Sequence, residues 1–430
     1  MEIVNRVLSA WLQALYGKVV KILLSAYACE PDKGSEPGVG WHWAVELASL
    51  GHDVWVITRA NNEPVISEAL AKAPIENLRF AYHDLPGWLK WWKKGRRGVH
   101  LYYLFWQIGI FLVARSLAKK VKFDVVHHVT FVSVRQPSFL GLLGIPFIFG
   151  PVAGGERAPM ALRKSYPLRG WLLDLLRDVV NMWVKFSPLM HLTFATAKRI
   201  YVTSEQTRRL LPVRYLTKTA VQLAVGIENV PQDHSLSGKG TSACKVLFVG
   251  QLLYWKGVHL ALRAFAEFLQ RQPRARFTVV GSGPDESWLK GLAAQLNIGH
   301  AVDWIQWMPH SETMQLYRQH DIFLFPSLHD SGGMAVLEAM ANGLPVVCLA
   351  LGGPGEIVDD NCGRLVKTRG KTEDEVIEDL AKALTELLND VDLWQASSKG
   401  ARVRAQGFAW PKVVAEMYRA LEGIVGTGKK

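Results

Sequence analysis

The chain has 430 residues, of which 49% are hydrophobic, and a formal net charge of +12. This length predicts two or three globular domains, and the composition argues against a disordered chain. The four cysteines lie far apart and form no C-x-x-C pair, so they indicate neither a zinc site nor a disulfide framework, and a reducing compartment fits.

The excess of positive charge is confined to the first half of the chain. Residues 1–220 contain 29 Lys and Arg against 15 Asp and Glu, whereas the remainder contains 21 against 23. This asymmetry predicts an anionic partner for the first half, such as a phospholipid surface or an acidic or pyrophosphate-linked acceptor. A basic surface that only aids solubility is the alternative.

Three segments of the first half have the composition of membrane-surface or core helices. Apolar residues at helical spacing in 1–17 predict an amphipathic helix, either packed on the first domain or lying in a membrane interface. Residues 87–97 interleave three tryptophans with five cations, and without a nucleic-acid motif they favour a membrane surface over a nucleic acid. The apolar run 101–114 is shorter than the roughly 20 residues of a spanning helix and predicts a buried or partly exposed helix.

The first predicted strand, 21–27, runs into a loop that contains Gly34, Gly38 and Gly40. These glycines allow close approach of the backbone to a ligand, and a helix predicted at 39–50 directs its N-terminus there. As a dinucleotide fingerprint the loop is weak, because the third glycine is missing.

Later strands of the first domain carry further candidate residues. The strand predicted at 123–129 contains His127 and His128, which are either ligand contacts or hydrogen-bonded core residues. A strand and a glycine-rich loop are predicted at 147–158, and the glycines suit the loop to lining a ligand cleft. Residues 200–204 are predicted as the last strand of this domain, followed by a helix at 205–211.

A polar, small-residue segment at 233–242 predicts a linker, after which strands and helices alternate again. The apolar periodicity predicts a second parallel sheet. Strands are predicted at 245–249, 276–280, 302–306, 321–325 and 346–350, and helices at 259–270, 287–296 and 334–340.

Lys256 follows Gly250 by six residues and immediately precedes a predicted helix. This position places an ammonium beside a phosphate held at the helix N-terminus. Gln251 offers an amide without charge, and a solvated turn lysine is the alternative for Lys256. The sequence V-V-G-S-G-P, which contains Gly281 and Gly283, predicts a tight turn after the next strand.

The segment 325–350 predicts a strand, a loop, a helix and another strand of a parallel sheet. Gly332 and Gly333 precede the helix, whose first amides are available to an anion. Asp330 and Glu338 flank the start of this helix, and the loop has to fold back for both carboxylates to face one ligand. A solvated Asp and a surface Glu are the alternative.

These motifs together resemble the retaining glycosyltransferases of family 4. The spacing of Asp330 and Glu338 is similar to the E-x7-E signature of that family, with Asp in place of the first Glu, and L-E-A-M-A-x-G-x-P-V-V accompanies it. The segment around Lys256 resembles G-R-L-x-x-x-K-G with Gln251 at the Arg position. A family histidine contacts the donor sugar near His127 and His128, although its usual position is Val129 here.

The resemblance implies an α/β fold of two Rossmann-like parallel-sheet domains facing across a cleft, known as GT-B. The domains would be 1–220, with 1–20 as an amphipathic extension, and 221–407, with a C-terminal helix in 408–430 packing back on the first domain. The implied catalytic residues are Asp330, Glu338, Lys256, His127 and His128. The implied donor-binding residues are Gly38, Gly40, Gly250, Gln251, Lys256, Gly281, Gly283, Met308, Gly332, Gly333, Met334, Ala335 and Glu338. On the acceptor side are Gly154, Gly155 and Glu156.

The implied activity is transfer of a hexose-type sugar, with retention, from a UDP or GDP sugar to a glycan or lipid-linked acceptor in cell-surface polysaccharide or glycolipid synthesis. In this reaction Lys256 would grip the donor diphosphate, Glu338 the ribose hydroxyls and Asp330 a sugar hydroxyl. Neither a metal nor a cofactor is expected, and the protein would be cytoplasmic and peripheral on an anionic membrane. A catalytically impaired binding subunit and a nucleotide-sugar epimerase are the alternatives.

Overall fold

A computed structural model describes residues 19–89, 98–228 and 244–421. Their contacts divide the chain into two compact units, of which the first contains the described residues of Met1–Gly155, Val180–Val225 and Trp410–Lys430. The second contains those of Glu156–Val179 and Gly226–Ala409. The predicted helix at 1–17, most of the tryptophan-rich segment and the linker at 233–242 lie outside the described residues.

The first unit contains a seven-stranded sheet in the order β3-β2-β1-β4-β5-β6-β7, and all its strand pairs are parallel. Short runs rich in Val, Ile and Phe form the central strands and are buried on both faces, as parallel sheets require. The strands are β1 Lys21–Ala26, β2 Asp53–Arg59, β3 Leu78–His83, β4 Val125–Thr130, β5 Phe147–Val152, β6 Arg199–Val202 and β7 Thr219–Val221.

The helices that precede β7 are α1 Ser35–Ser49, α2 Glu63–Lys72, α3 Val99–Lys120, α4 Leu168–Trp183, α5 Pro188–Thr196 and α6 Glu205–Leu210. Helix α14, Trp410–Arg419, follows the helices of the second sheet, which are given below. Most of α4 belongs to the second unit and the rest of these helices to the first. α14 packs against α1 through the stacked rings of Trp410 and His42, 4.9 Å apart.

The second unit contains a six-stranded parallel sheet in the order β10-β9-β8-β11-β12-β13. Its strands are β8 Lys245–Val249, β9 Arg276–Val280, β10 Val302–Ile305, β11 Ile322–Phe325, β12 Val346–Leu349 and β13 Gly363–Val366. Its further helices are α7 Val258–Arg271, α8 Glu286–Gln295, α9 His310–Arg318, α10 Met334–Ala341, α11 Gly352–Ile357, α12 Glu373–Asn389 and α13 Val391–Gln406.

The structure differs from the sequence predictions at three places in the first half. Helix α1 begins at Ser35, several residues before the predicted start, so that Gly38 and Gly40 lie inside it. A further strand, β7, pairs with β6 beyond the predicted last strand. Residues 156–179 group with the second unit, although the predicted boundary at 220 had placed them in the first domain.

Helix α3 extends the predicted apolar run to 22 residues. Among the described residues it is the one helix long and apolar enough to cross a membrane by length and composition. Tyr102, Tyr103, Trp106 and Ile110 on one face are fully buried in the core of the first unit. A core helix of a soluble protein meets the same criteria, so the length of α3 does not by itself assign a membrane crossing.

Candidate functional site

The N-terminus of α10 lies just beyond β11 at the carboxyl edge of the second sheet. Strand β11 is buried throughout, and the chain then turns before the helix begins at Met334. Gly333 caps the helix with φ +67°, and a Cβ atom there would lie 2.6 Å from Cδ1 of Ile357. The positive φ favours glycine at this position, because residues with a Cβ atom rarely adopt it. The first-turn amides of α10 point out of the helix without intrahelical partners.

Asp330 is the carboxylate of the loop that precedes α10. Its Oδ1 accepts hydrogen bonds from the amides of Gly332 and Gly333, both at 3.0 Å, and its Oδ2 forms an ion pair with Lys256. Burial alone would raise the pKa of Asp330, but the Lys256 ammonium and the two amides outweigh it and hold the pKa below its ordinary value. Asp330 is therefore an anion in the folded protein.

Lys256 is positioned by a tight turn between β8 and α7. A 3₁₀ turn at Tyr254–Lys256 leads to Gly257, which caps α7 with φ +73°. A Cβ atom on Gly257 would lie 1.8 Å from the carbonyl oxygen of Pro326, so only glycine lets this turn pack against the end of β11. Lys256 and Asp330 are thereby brought together across 74 residues of sequence, with only 20% and 14% of their side chains exposed.

Glu338 lies one turn inside α10 and accepts two hydrogen bonds from the preceding helix α9. The hydroxyl of Tyr317 donates to Oε2 and Nε2 of His310 lies near Oε1, both at 3.2 Å. The hydrogen bond to Glu338 raises the pKa of His310 above its ordinary value. Tyr317 is fully buried, whereas His310 is exposed. Neither partner was predicted from the sequence.

The loops after β8 and β9 are in close backbone contact with each other. A Cβ atom on Gly281, which has φ +144°, would lie 1.9 Å from the carbonyl oxygen of Gly250, and one on Gly283 would lie 2.2 Å from that of Leu252. The structure therefore brings Gly250, Gly281 and Gly283 together at the edge of the sheet. Gln251 is exposed beside them.

A buried polar network lies behind Lys256 and Asp330 and was not predicted. Asp174 of α4 accepts hydrogen bonds from the hydroxyl of Tyr254, at 3.1 Å, and from Nε2 of His329, at 3.0 Å. The guanidinium of Arg163 lies 3.7 Å from the other oxygen. Burial would raise the pKa of Asp174, but His329 and Arg163 hold it below its ordinary value. The carboxylate of Asp174 thus holds Tyr254, which lies two residues before Lys256, and His329, which directly precedes Asp330.

The predicted donor residues of the first unit have a different environment. His127 is fully buried, with Nδ1 2.9 Å from the hydroxyl of Tyr418 and Nε2 2.7 Å from the carbonyl oxygen of Gly150. His128 is also fully buried, and its Nε2 lies 3.3 Å from the carbonyl oxygen of Phe131. Burial lowers the pKa of His127 to about 3 and that of His128 to about 4. This placement gives no support to the prediction that they contact a donor sugar.

The predicted glycines of the first unit serve chain packing. A Cβ atom would lie 2.0 Å from the carbonyl oxygen of Lys33 at Gly38 and 2.0 Å from that of Ala28 at Gly40, so both glycines let α1 pack closely on the preceding loop. Gly38 lies within α1 rather than in the loop where it was predicted, whereas Gly40 lies within the helix as predicted.

The predicted acceptor-side residues divide between the two units. Gly154 has φ +108° and accepts a hydrogen bond from Arg135, while the amide of Gly155 donates to the hydroxyl of Thr207, 3.2 Å away. Glu156 groups with the second unit and is buried. Among the described residues there is no cluster of three His, Cys, Asp or Glu that could hold a metal ion.

Part of the chain is similar in sequence to known proteins. Residues 231–404 match the family model of glycosyl transferases group 1. The D-inositol 3-phosphate glycosyltransferase of Corynebacterium aurimucosum is 32% identical over 179 residues, which cover 40% of this chain and 41% of that protein. The glycogen synthase of Mycobacterium tuberculosis is 30% identical over 185 residues, covering 42% and 43%. The chain thus spans about two fifths of the length of these curated relatives.

Solved structures resemble nearly the whole chain at low sequence identity. Sucrose-phosphate synthase of Thermosynechococcus elongatus has a TM-score of 0.61 at 17% identity and covers 95% of this chain and 100% of its own. WaaG, a glycosyltransferase involved in lipopolysaccharide biosynthesis, has a TM-score of 0.55 at 16% identity and covers 95% of this chain and 100% of its own. Anabaena HepE in complex with UDP-glucose has a TM-score of 0.56 at 14% identity and covers 94% of this chain and 100% of its own. These similarities, with the two parallel sheets, confirm the predicted fold class.

Proposed function

We propose, on the premise that residues 231–404 match the family model of glycosyl transferases group 1, that this protein transfers a sugar from a nucleotide-diphosphate sugar to an acceptor. The observation that carries the proposal is the convergence of Lys256, the loop of Asp330 and the N-terminus of α10 at the edge of the second sheet. An ammonium beside a helix N-terminus is an arrangement that binds phosphate.

Lys256 and the first amides of α10 would stabilise the departing nucleoside diphosphate. Negative charge grows on the leaving group during transfer, and fixed positive charge and oriented amides lower the energy of that state. Because Asp330 already occupies the amides of Gly332 and Gly333, the proposed phosphate ligands shift to those of Met334 and Ala335. In this proposal the lysine and the amides take this role without a metal ion.

Asp330 takes a different role from the one the family resemblance implied. Its two oxygens hold Lys256 and the amides of Gly332 and Gly333, so we assign it to positioning of the lysine and of the loop. Glu338 remains the proposed ligand of the ribose hydroxyls. The hydrogen bonds from Tyr317 and His310 fix its carboxylate while 21% of its side chain stays exposed.

The finer assignments extend the same proposal. The donor is a UDP or GDP sugar of hexose type, and UDP is the first to test because the similar HepE is solved with UDP and with UDP-glucose. Transfer proceeds with retention, as in family 4. The acceptor is a glycan or a lipid-linked sugar of cell-surface polysaccharide or glycolipid synthesis, used at the cytoplasmic face of the plasma membrane.

The test combines binding and turnover. Calorimetry with UDP, GDP and their common sugars should find one preferred nucleotide, and a radiolabelled sugar of that nucleotide should then be transferred to a glycan or lipid-linked acceptor. Lys256→Ala and Glu338→Ala should each lose most of the activity. Lys290→Ala, which removes an exposed lysine paired with Glu286 in the same unit, is the matched control and should retain it. Wild-type activity in both site variants would refute the site.

The neutral side chain of Gln251 favours one second candidate, a binding subunit with impaired catalysis. The family motif has an arginine at this position, and an amide supplies a hydrogen bond to phosphate without charge. In that case calorimetry would detect a nucleotide diphosphate, but no transfer or donor hydrolysis would follow. Gln251→Arg then distinguishes the two functions, because restored turnover assigns the impairment to this position.

A further inference from the structure

Helix α4 has Asp174 and Asn181 facing inward and most of its apolar side chains facing outward. Gly170, Asp174 and Asn181 recur at helical spacing and are buried. The opposite face, with the turn that follows the helix, exposes eleven large apolar side chains, from 37% at Trp171 to 75% at Leu168. The eleven are Leu168, Trp171, Leu172, Leu173, Leu175, Leu176, Val179, Val180, Met182, Trp183 and Phe186. We call these eleven residues the apolar face. A helix on the surface of a water-soluble protein normally has the reverse arrangement.

Hydrogen bonds and ion pairs fix the orientation of α4, with its two carboxylates directed inward. Asp174 accepts from Tyr254 and His329, as described above. Asp178 forms ion pairs with Arg157 at 3.0 Å and with Arg163 at 2.8 Å. Rotating the helix to bury the apolar face would leave these carboxylates and their buried partners without hydrogen bonds, at a cost of ~1–3 kcal/mol for each group. The apolar face is therefore a stable surface of the folded chain.

An apolar face of this size indicates something that covers it. Isolated exposed leucines are ordinary, but a contiguous set along one helix marks a protein or membrane contact. Residues 156–189, all of which the structure describes, contain three acidic residues, Glu156, Asp174 and Asp178. Their side chains are only 1%, 2% and 12% exposed.

Cations, in contrast, remain exposed beside the apolar face. Arg169 lies at its start and Lys185 near its end, and both are exposed. A second copy of the chain, docked by twofold symmetry, would bring identical cations near one another with no exposed acid from this segment to oppose them. An anionic lipid surface instead offers hydrocarbon to the apolar side chains and phosphate to the cations.

We propose that α4 lies in the interface of an anionic bilayer with its apolar face directed at the lipid. The 16 residues of α4 extend over about 24 Å, and its buried acids exclude a spanning orientation, so the helix lies along the surface. Trp171 and Trp183, spaced along the apolar face, carry a side chain that is enriched at membrane interfaces. This inference does not depend on the proposed sugar transfer, because it concerns binding and not turnover.

A site-specific fluorescent label tests the orientation directly. The four native cysteines are buried, so a cysteine introduced at an exposed position can be labelled selectively. Leu176→Cys carrying an environment-sensitive dye should shift its emission to the blue on vesicles that contain phosphatidylglycerol. The same dye at Val403→Cys, an equally exposed position on α13 of the second unit, should not shift.

Co-sedimentation with vesicles measures the affinity. The triple variant Leu172→Ser, Leu176→Ser and Val179→Ser should bind at least about tenfold more weakly, because each lost side chain contributes apolar burial. Arg169→Gln should weaken binding to anionic vesicles by about fivefold at low salt and have little effect on phosphatidylcholine. The matched control, Val391→Ser with Val403→Ser, removes exposed apolar groups elsewhere in the second unit and should bind as the wild type does.

The substitutions replace exposed side chains, and circular dichroism and thermal melting should show that every variant is folded. Wild-type protein that binds neither type of vesicle would overturn the proposal. It would also be overturned if the wild type formed a dimer that the triple variant dissociates, since a second copy would then cover the apolar face. Equal shifts of both labels on vesicles would likewise contradict the proposed orientation. Failure of sugar transfer with vesicle binding intact would refute the proposed function alone.

Discussion

His127 and Lys256 were both predicted to meet the donor, yet the two sheets place them differently. His127 lies within strand β4, which is buried throughout, so its ring is enclosed. Its two ring nitrogens lie within hydrogen-bonding distance of the Tyr418 hydroxyl and the Gly150 carbonyl oxygen. Lys256 lies seven residues beyond the end of β8, in a turn at the sheet edge, and keeps 20% of its side chain exposed. The comparison shows that a polar residue within a central parallel strand is enclosed, whereas one in the loop after the strand stays accessible.

The largest expected effect is on nucleotide binding by Lys256→Met. A charge-assisted hydrogen bond to phosphate contributes about 1.5–3 kcal/mol, so the affinity for the preferred nucleoside diphosphate should fall by roughly ten- to 150-fold. Isothermal calorimetry measures this change, with Lys290→Met as the exposed-lysine control. An unchanged affinity would remove Lys256 from the site and with it the contrast between the two sheets.

The next effect concerns the charge of Asp330. Because its pKa is held below the ordinary value, its stabilising contribution is fully present above the ordinary Asp pKa of about 3.9 and is lost as the pH falls through the lower value of the folded state. Asp330→Asn should therefore lower the free energy of unfolding by ~1–3 kcal/mol near neutral pH. Urea unfolding should show this difference shrinking below about pH 4. A difference that grew on acidification would contradict the assigned ion pair.

His127→Gln should affect stability without affecting nucleotide binding. The substitution disturbs the hydrogen bonds to Tyr418 and Gly150 inside the sheet, and a buried group left without its partner costs ~1–3 kcal/mol. Urea unfolding should report this loss while calorimetry reports an unchanged nucleotide affinity. If the affinity fell about tenfold or more with stability intact, the buried role assigned to His127 would be wrong.

The smallest effect is a change in the titration of His310. Its hydrogen bond with Glu338 raises its pKa, so the contribution of this pair is present below the ordinary histidine pKa and is lost as the pH rises through the raised value. In Glu338→Gln the pKa of His310 should return toward its ordinary value. Nuclear magnetic resonance of the imidazole ring measures this directly, with the signal assigned by His310→Asn. An unaltered titration curve would show that the two side chains do not interact in solution.

The parts of the second sheet that the sequence predicts well are those with strictly local causes. Strands β8 and β9 match their predicted bounds. A short apolar run bounded by polar residues is too short for a helix and is typical of a buried strand. The start of α10 at Met334 was also predicted, because strong helix formers without a breaker follow Gly332 and Gly333. The motifs predicted Lys256 and Asp330 as site residues, but they did not predict the ion pair between the two.

The parts that the sequence does not reveal depend on distant contacts. Asp174 lies 80 residues before Tyr254 and 155 before His329, and no local pattern links them. Helix α4 was missed for a related reason: its buried face is polar, so its pattern marks the wrong side as the core. The partners of Glu338 come from the preceding helix, and only the folded structure aligns α9 with α10.

The ion pair between Lys256 and Asp330 has a consequence for how an anion enters the site. Because the ammonium of Lys256 already pairs with Asp330, a diphosphate bound as proposed would share this cation with a resident carboxylate rather than occupy a vacant cationic position. Each anion would then weaken the attraction of the lysine for the other. Asp330 would keep its two amides but lose part of the attraction of its cation, so its affinity for a proton would increase. Under the proposed function, nucleotide binding on the acidic side would thereby be linked to proton uptake by the protein itself.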